Sequence, residues 1–271
     1  MFEARRIVAG ELRRAAPVSI VLLPILLVGA QLGSAAMKLD GAVFRDELDL
    51  FGQAMMSPLA PLLPMIAVLS GSRSLLASVR SRFLFAARTR VGPRALVNAF
   101  LASGAATAFV PVFIGTAVVG GLVFFGAPAI VPELIDPSVY GITPDELARD
   151  AAERVSLSQL LAGGALSYVL GYSLWVGVAS AVFATMGNVL ILVLPSPLLG
   201  FFLPFGVYLA HSVAAGLLDR PEWGALFAVF PFGLVQQPIG AALAPIGIIA
   251  LFVGGAWLAT SLRASRLVSL R

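Results

Sequence analysis

The sequence predicts an all-α polytopic membrane protein. Its expected parts are six transmembrane helices, an N-terminal interfacial helix, a cytoplasmic helix between the second and third spans, and an irregular outer segment before the last span. Three observations predict this. Hydrophobic residues fill 59% of the 271 positions and charged residues only 12%, where a soluble domain carries about a quarter. The charges fall in clusters, and several uncharged stretches between them reach the ~20 residues that cross a bilayer core. Some of the clusters are strongly basic and others net acidic.

The elements follow in order within a single transmembrane domain, 1–271. Residues 1–16 set Phe2, Ile7, Val8 and Leu12 among Arg5, Arg6, Arg13 and Arg14, the amphipathic pattern of a helix lying in the membrane interface. No small-residue cleavage site follows the next apolar run, so the segment reads as retained rather than as a signal peptide. The first span is expected at 17–37, with Pro17 at its start, where a helix tolerates proline. After the charged loop Lys38–Asp49 comes the second span, 51–69, made imperfect by Pro58, Pro61 and Pro64. A cytoplasmic loop, 71–94, leads to a long third span, 95–127. The outer loop, 128–156, carries Thr143-Pro144-Asp145-Glu146, a helix start with a capping box. Within it Asp150 and Arg154 are four apart and share a helix face. The fourth span, 157–185, and the fifth, 189–217, are expected to flank a tight turn at Met186-Gly187-Asn188. Trp223–Pro238 is apolar but broken by Pro231, Gly233 and Pro238, which predicts a re-entrant segment shielded by protein. The last span is expected at 240–262, and the chain ends in Arg263, Arg266 and Arg271.

Charge fixes the orientation. The N-terminal arm, the 71–94 loop and the C-terminal tail together carry 13 basic and two acidic residues, leaving +11 on one side and −7 on the other, consistent with the net +4. Positive residues stay cytoplasmic, so both termini and the 71–94 loop are placed inside. Basic residues confined to membrane edges give no nucleic-acid surface. Arginine outnumbers lysine 17 to one, Lys38 alone, a bias that points to a GC-rich bacterial genome.

Catalytic patterns are missing. There is no cysteine, His211 is the sole histidine, and no G-x-x-x-x-G-K-[ST] motif exists, so thiolate chemistry, histidine metal clusters and a P-loop are excluded. His211 and Ser212 are neighbours on a helix and point too far apart to form a nucleophile–base pair, which makes His211 a packed or interfacial residue. Gln31, Asn98 and Asn188 lie in or near spans and read as helix-linking polar groups. Gly29-x-x-x-Gly33 reads as internal close packing. No acid or lysine falls within a span, which disfavours ion-coupled transport. No enzymatic activity and no bound cofactor are expected of this chain.

The 71–94 loop stands apart. It carries Arg73, Arg80, Arg82, Arg88, Arg90 and Arg94 without one acid, and interleaves Phe83 and Phe85 with arginine. Ser78 to Ala87 reads as a short helix suited to docking on a cytoplasmic protein. With this loop, followed by Arg88-Thr-Arg-Val-Gly-Pro-Arg-Ala-Leu and a long third span, the chain resembles a bacterial ABC-2-type transporter permease over nearly its whole length. The order of parts carries the resemblance, including the proline-rich fifth span and the basic tail.

The resemblance implies a coupling helix seated on a separate ATPase, with Ser78, Arg80, Arg82, Phe83, Phe85 and Ala87 as contacts. Arg5, Arg6, Arg13, Arg88 and Arg90 would support them. It further implies two copies of the ABC ATPase, which hold ATP and magnesium, and a second permease subunit, identical or paralogous. The setting would be a bacterial plasma membrane and the activity ATP-driven export, with this chain as half of the pathway. Apolar walls favour a lipid, a hydrophobic drug or a peptide as substrate. A secondary transporter or channel, and a membrane scaffold, are the alternative classes.

Overall fold

The computed structural model describes residues 10, 21–39, 41–81 and 91–267. Among these, four helices are long and apolar enough to cross a membrane. In chain order the helices are α1 (Leu23–Ala36), α2 (Glu47–Met55), α3 (Leu63–Arg80), α4 (Pro93–Gly121), α5 (Pro144–Arg154), α6 (Ala165–Val193), α7 (Pro197–Leu217), α8 (Ala225–Val229) and α9 (Ile239–Leu262). A π turn, Leu122–Gly126, and one further turn, Ala127–Ile130, prolong α4. The four long helices are α4 with this extension, α6, α7 and α9. Of the expected interfacial helix at 1–16, all but Gly10 lies outside the described residues.

α6 is the central post. α4, α3, α7 and α9 pack around it, and it buries Tyr168, Tyr172, Val176, Phe183 and Asn188 along its length. α7 and α9 leave Leu199, Phe202, Leu251 and Phe252 exposed, the apolar surface that lipid covers in a membrane bundle. The only strand-like pairing among the described residues is one bridge, Phe44 with Ile135, which joins the loop before α2 to the loop before α5.

Several expected boundaries move. The second span is not one helix: α2 ends at Met55 and α3 starts at Leu63. Pro58 and Pro61 fall in the gap, where each lacks the N–H an α-helix needs, while Pro64 lies in the first turn of α3, where that N–H has no partner anyway. α3 then runs unbroken through Gly71 to Arg80, so the loop expected from Gly71 begins only at Ser81.

α6 likewise passes straight through Met186-Gly187-Asn188, and the turn lies at Leu194–Ser196, around Pro195. Gly187 is needed there for packing: a Cβ would stand 2.8 Å from Val68. The helix also starts later than Leu157. Leu157 and Gly164 both adopt left-handed φ, +73° and +91°, and bracket a 3-10 turn at Ser158–Gly163. A Cβ on Gly29 or Gly33 would meet nothing within 4 Å, so that pair makes no close packing contact among the described residues.

The capping box at Thr143 forms. The Glu146 carboxylate accepts from the Thr143 N–H at 3.3 Å and from its hydroxyl at 2.8 Å. The Thr143 bonds, helped by Arg149, hold Glu146 below the usual carboxylate range.

Candidate functional site

Two regions concentrate polar chemistry, one midway along α3 and one at the end of the bundle away from the 81–92 link. Midway along α3, three helices lock along one seam. The Ser70 hydroxyl donates to the Thr107 carbonyl at 2.6 Å, and Asn188 Nδ2 donates to the Gly71 carbonyl at 3.3 Å. Gly71 and Gly104 let α3 and α4 touch backbone to backbone: a Cβ on either would lie 2.6 Å from the other's carbonyl oxygen. Thr107 turns its own hydroxyl back to Ser103 and Gly104 of α4. The seam therefore joins α3, α4 and α6 through small residues and short polar side chains, the usual chemistry of close helix pairs in membranes.

Of the expected ATPase contacts, Ser78 and Arg80 are described. Both lie in the last turn of α3 and point differently: Ser78 is 6% exposed and packed inward, whereas Arg80 is exposed. Arg82, Phe83, Phe85, Ala87, Arg88 and Arg90 lie outside the described residues, as do Arg5, Arg6 and Arg13. Asn98 accepts from the indole N–H of Trp257 at 2.8 Å, tying the start of α4 to the end of α9.

At the end away from the 81–92 link an ion network ties three chain segments together. Arg154, at the end of α5, reaches Asp46 at 2.7 Å, and also Asp49 and Asp150. Arg45 meets Asp150 at 3.1 Å and covers the ring of Tyr140. Asp46 also caps α2 by accepting the Asp49 N–H. Burial alone would lower the pKa of Arg154, but Asp46, Asp150 and Asp49 outweigh it and raise it above the ordinary value. Burial pushes Asp150 up, yet the bonds and charges of Arg154 and Arg45 win and hold its carboxyl below the usual range. The Asp150–Arg154 pair is legible from spacing alone. Their partners about a hundred residues away leave no sign in the sequence.

The irregular 223–238 segment seats beside this network, and its short helix is capped by side chains at both ends. His211 Nδ1 accepts the Ala225 N–H at 3.2 Å, and Ser212 Oγ accepts the Leu226 N–H at 2.9 Å. At the other end the Trp175 indole donates to the Ala228 carbonyl at 2.8 Å and the Tyr172 hydroxyl to Val229 at 2.9 Å. Helix ends leave such groups without partners, so these four side chains make a five-residue helix tenable in an apolar setting. Beyond it Gln236 donates to the Ala152 carbonyl and Gln159 to that of Gln237. Below, Phe51, Phe124, Tyr168, Tyr172 and Phe232 form one aromatic cluster with ring centroids 5.4 to 5.9 Å apart.

Between this segment and α2 lies a cavity of about 400 Å³, within the size range of small-molecule pockets. Met56, Phe232 and Val235 give it apolar walls, and Asp49, Gln53 and Arg154 a polar edge. Such a lining accommodates an amphipathic molecule. Among the described residues, no group of three His, Asp or Glu side chains is placed to hold a metal ion. Comparison with protein-family profiles, with curated proteins and with solved structures finds no match for this chain.

Proposed function

We propose that this chain is the membrane subunit of an ATP-driven exporter of the ABC-2 type, crossing the membrane six times and forming half of the pathway. In this reading α1 with the residues before it makes the first crossing, α2 and α3 together the second, and α4, α6, α7 and α9 the others. Both termini and the 81–92 link face the cytoplasm, as the charge partition requires.

The observation that carries the proposal is α3 itself. It is one unbroken helix from Leu63 to Arg80, bonded at its middle to α4 and α6 through Ser70–Thr107 and Gly71–Asn188. The link after Arg80 is joined at both ends to that seam, through α3 on one side and α4 on the other. A partner that pushes on the link therefore moves α3 and α4 together against the central post. That is what a chain without a nucleotide site needs to use another chain's ATP hydrolysis. Of the end-of-helix residues, Arg80 is presented to a partner, and the packed Ser78 holds the helix end. Two ATPases and a second membrane subunit, identical or paralogous, complete the complex, with ATP and magnesium on the ATPase. The proposed substrate is a lipid, a hydrophobic drug or a peptide, and the amphipathic lining of the cavity beside the 223–238 segment supports that class.

The test is to look for a P-loop ATPase gene beside that of this chain and to use its product in a pull-down. Arg82→Glu combined with Phe83→Ala is expected to release the ATPase and abolish its stimulation, while the variant keeps the wild-type elution profile and melting temperature. Unchanged co-purification and unchanged stimulation overturn the proposal. Ion-driven flux in liposomes without any ATPase supports the secondary-transporter alternative instead.

A further inference from the structure

One charged side chain on α3 has no acid to pair with among the described residues. Arg73 is exposed on α3, and among the described residues no carboxylate lies within ion-pair distance of it. It is seven residues before Arg80, so it stands about 10 Å inside the end of the helix. Its exposed guanidinium borders an apolar groove and is free to hold an anion by charge-assisted hydrogen bonds.

The surroundings define what that anion is attached to. Ile66, Leu69, Ser70 and Arg73 recur at helical spacing and form one face of α3. Across from them lie Leu22, Leu23 and Leu26 at the start of α1. α1 packs on α4 and α2, and between α1 and α3 remains a groove with a cavity of about 150 Å³. Its leucine and isoleucine walls offer van der Waals contact to a hydrocarbon group. Leu22, Leu26 and Leu69 are about half exposed, at 49%, 57% and 57%, so the groove opens sideways, toward the bilayer.

We infer that this groove holds an anionic phospholipid, with the phosphate on Arg73 and one acyl chain between α1 and α3. A protein segment fits less well. Its backbone N–H and C=O groups would need partners, and among the described residues of the wall the one polar side chain besides Arg73, that of Ser70, already donates to Thr107 at 2.6 Å. A free phosphate would leave the leucine walls uncovered. The positive side of a membrane protein faces the leaflet rich in anionic lipid, so the charge partition and the groove call for the same ligand. The site also has a structural consequence. The lipid would fill the seam between α1 and α3, and so join α1 to the helix that leads to the 81–92 link. The inference needs only that the chain sits in a membrane, and stands whether or not an ATPase docks.

Native mass spectrometry of the purified full chain, titrated with dioleoyl phosphatidylglycerol or dioleoyl phosphatidylcholine, tests it. The wild type is expected to retain the anionic lipid about fivefold better, the factor one basic side chain contributes at a membrane surface. Arg73→Gln should bring the two lipids to parity, and Leu26→Trp, which fills the groove, should lower retention of both. Arg94→Gln, a neutralised arginine elsewhere at the same end, should keep the preference. Three results overturn the proposal: no preference in the wild type, an undiminished preference in Arg73→Gln, or displacement of the lipid by inorganic phosphate alone.

Discussion

Asn188 of α6 donates through Nδ2 to the Gly71 carbonyl of α3 at 3.3 Å, and the same amide fills the place where a side chain on Gly104 would stand. A Cβ at Gly104 would lie 2.1 Å from that nitrogen and 2.6 Å from the Gly71 oxygen. The three residues therefore set the spacing of α3, α4 and α6, the two helices that flank the 81–92 link and the post on which they pack.

Gly104→Ala is accordingly expected to destabilise the bundle. The Gly71 oxygen belongs to the backbone and cannot rotate away, so the helices must separate, at a cost of about 1–3 kcal/mol for overpacking. Gly33→Ala, on open surface of α1, provides the contrast: it should leave the melting temperature unchanged or raise it, since alanine favours the helix by up to about 1 kcal/mol. Thermal unfolding of both variants in detergent checks the pair. Equal effects would mean that the seam does not set the spacing.

The same seam shows where the sequence is legible. Long uncharged runs define helices almost by themselves, and the expected spans 95–127 and 240–262 correspond to Pro93–Ile130 and Ile239–Leu262. The capping box at Thr143 is equally readable, because its partners are three residues apart. Gly187-Asn188 misleads for a physical reason. Glycine and asparagine mark turns when only neighbours are considered, but here glycine admits Val68 and asparagine reaches Gly71, and neither contact is visible along the chain. Arg154 is similar: its pairing with Asp150 follows from helical spacing, while Asp46 and Asp49 arrive by folding. The caps that His211, Ser212, Tyr172 and Trp175 place on α8 leave no trace in spacing at all.

Arg154→Gln should cost about 3 kcal/mol, the low end for removing one partner of a buried ion pair. It leaves Asp46, whose side chain is 4% exposed, without its cation. The network also carries a pH signature. Asp150 is held below its ordinary pKa of 3.8, so it contributes stability above that value and loses it as pH falls through the lower, folded pKa. Melting temperatures of the wild type should therefore drop as pH is taken below about 4, and Arg154→Gln, already without the main cation, should show a shallower drop. Parallel acid profiles would show that Arg154 does not govern the titration.

The two tyrosines of the aromatic cluster should behave oppositely, although both are fully buried. Tyr172 donates to the Val229 carbonyl at 2.9 Å, one of the C-terminal carbonyls of α8 that has no helical donor. The Tyr168 hydroxyl has no partner among the described residues. Tyr172→Phe therefore removes a bond and leaves the carbonyl bare, a loss of about 0.6–1.7 kcal/mol by the range for hydrogen bonds between membrane helices. The damage should be local: hydrogen exchange should speed up across 225–238 and stay unchanged in α4. Tyr168→Phe removes only a hydroxyl whose burial is uncompensated, and should be neutral or stabilising. If exchange in 225–238 is unmoved by Tyr172→Phe, the segment is held by packing on Phe51 and Tyr172 through Phe232 rather than by its caps.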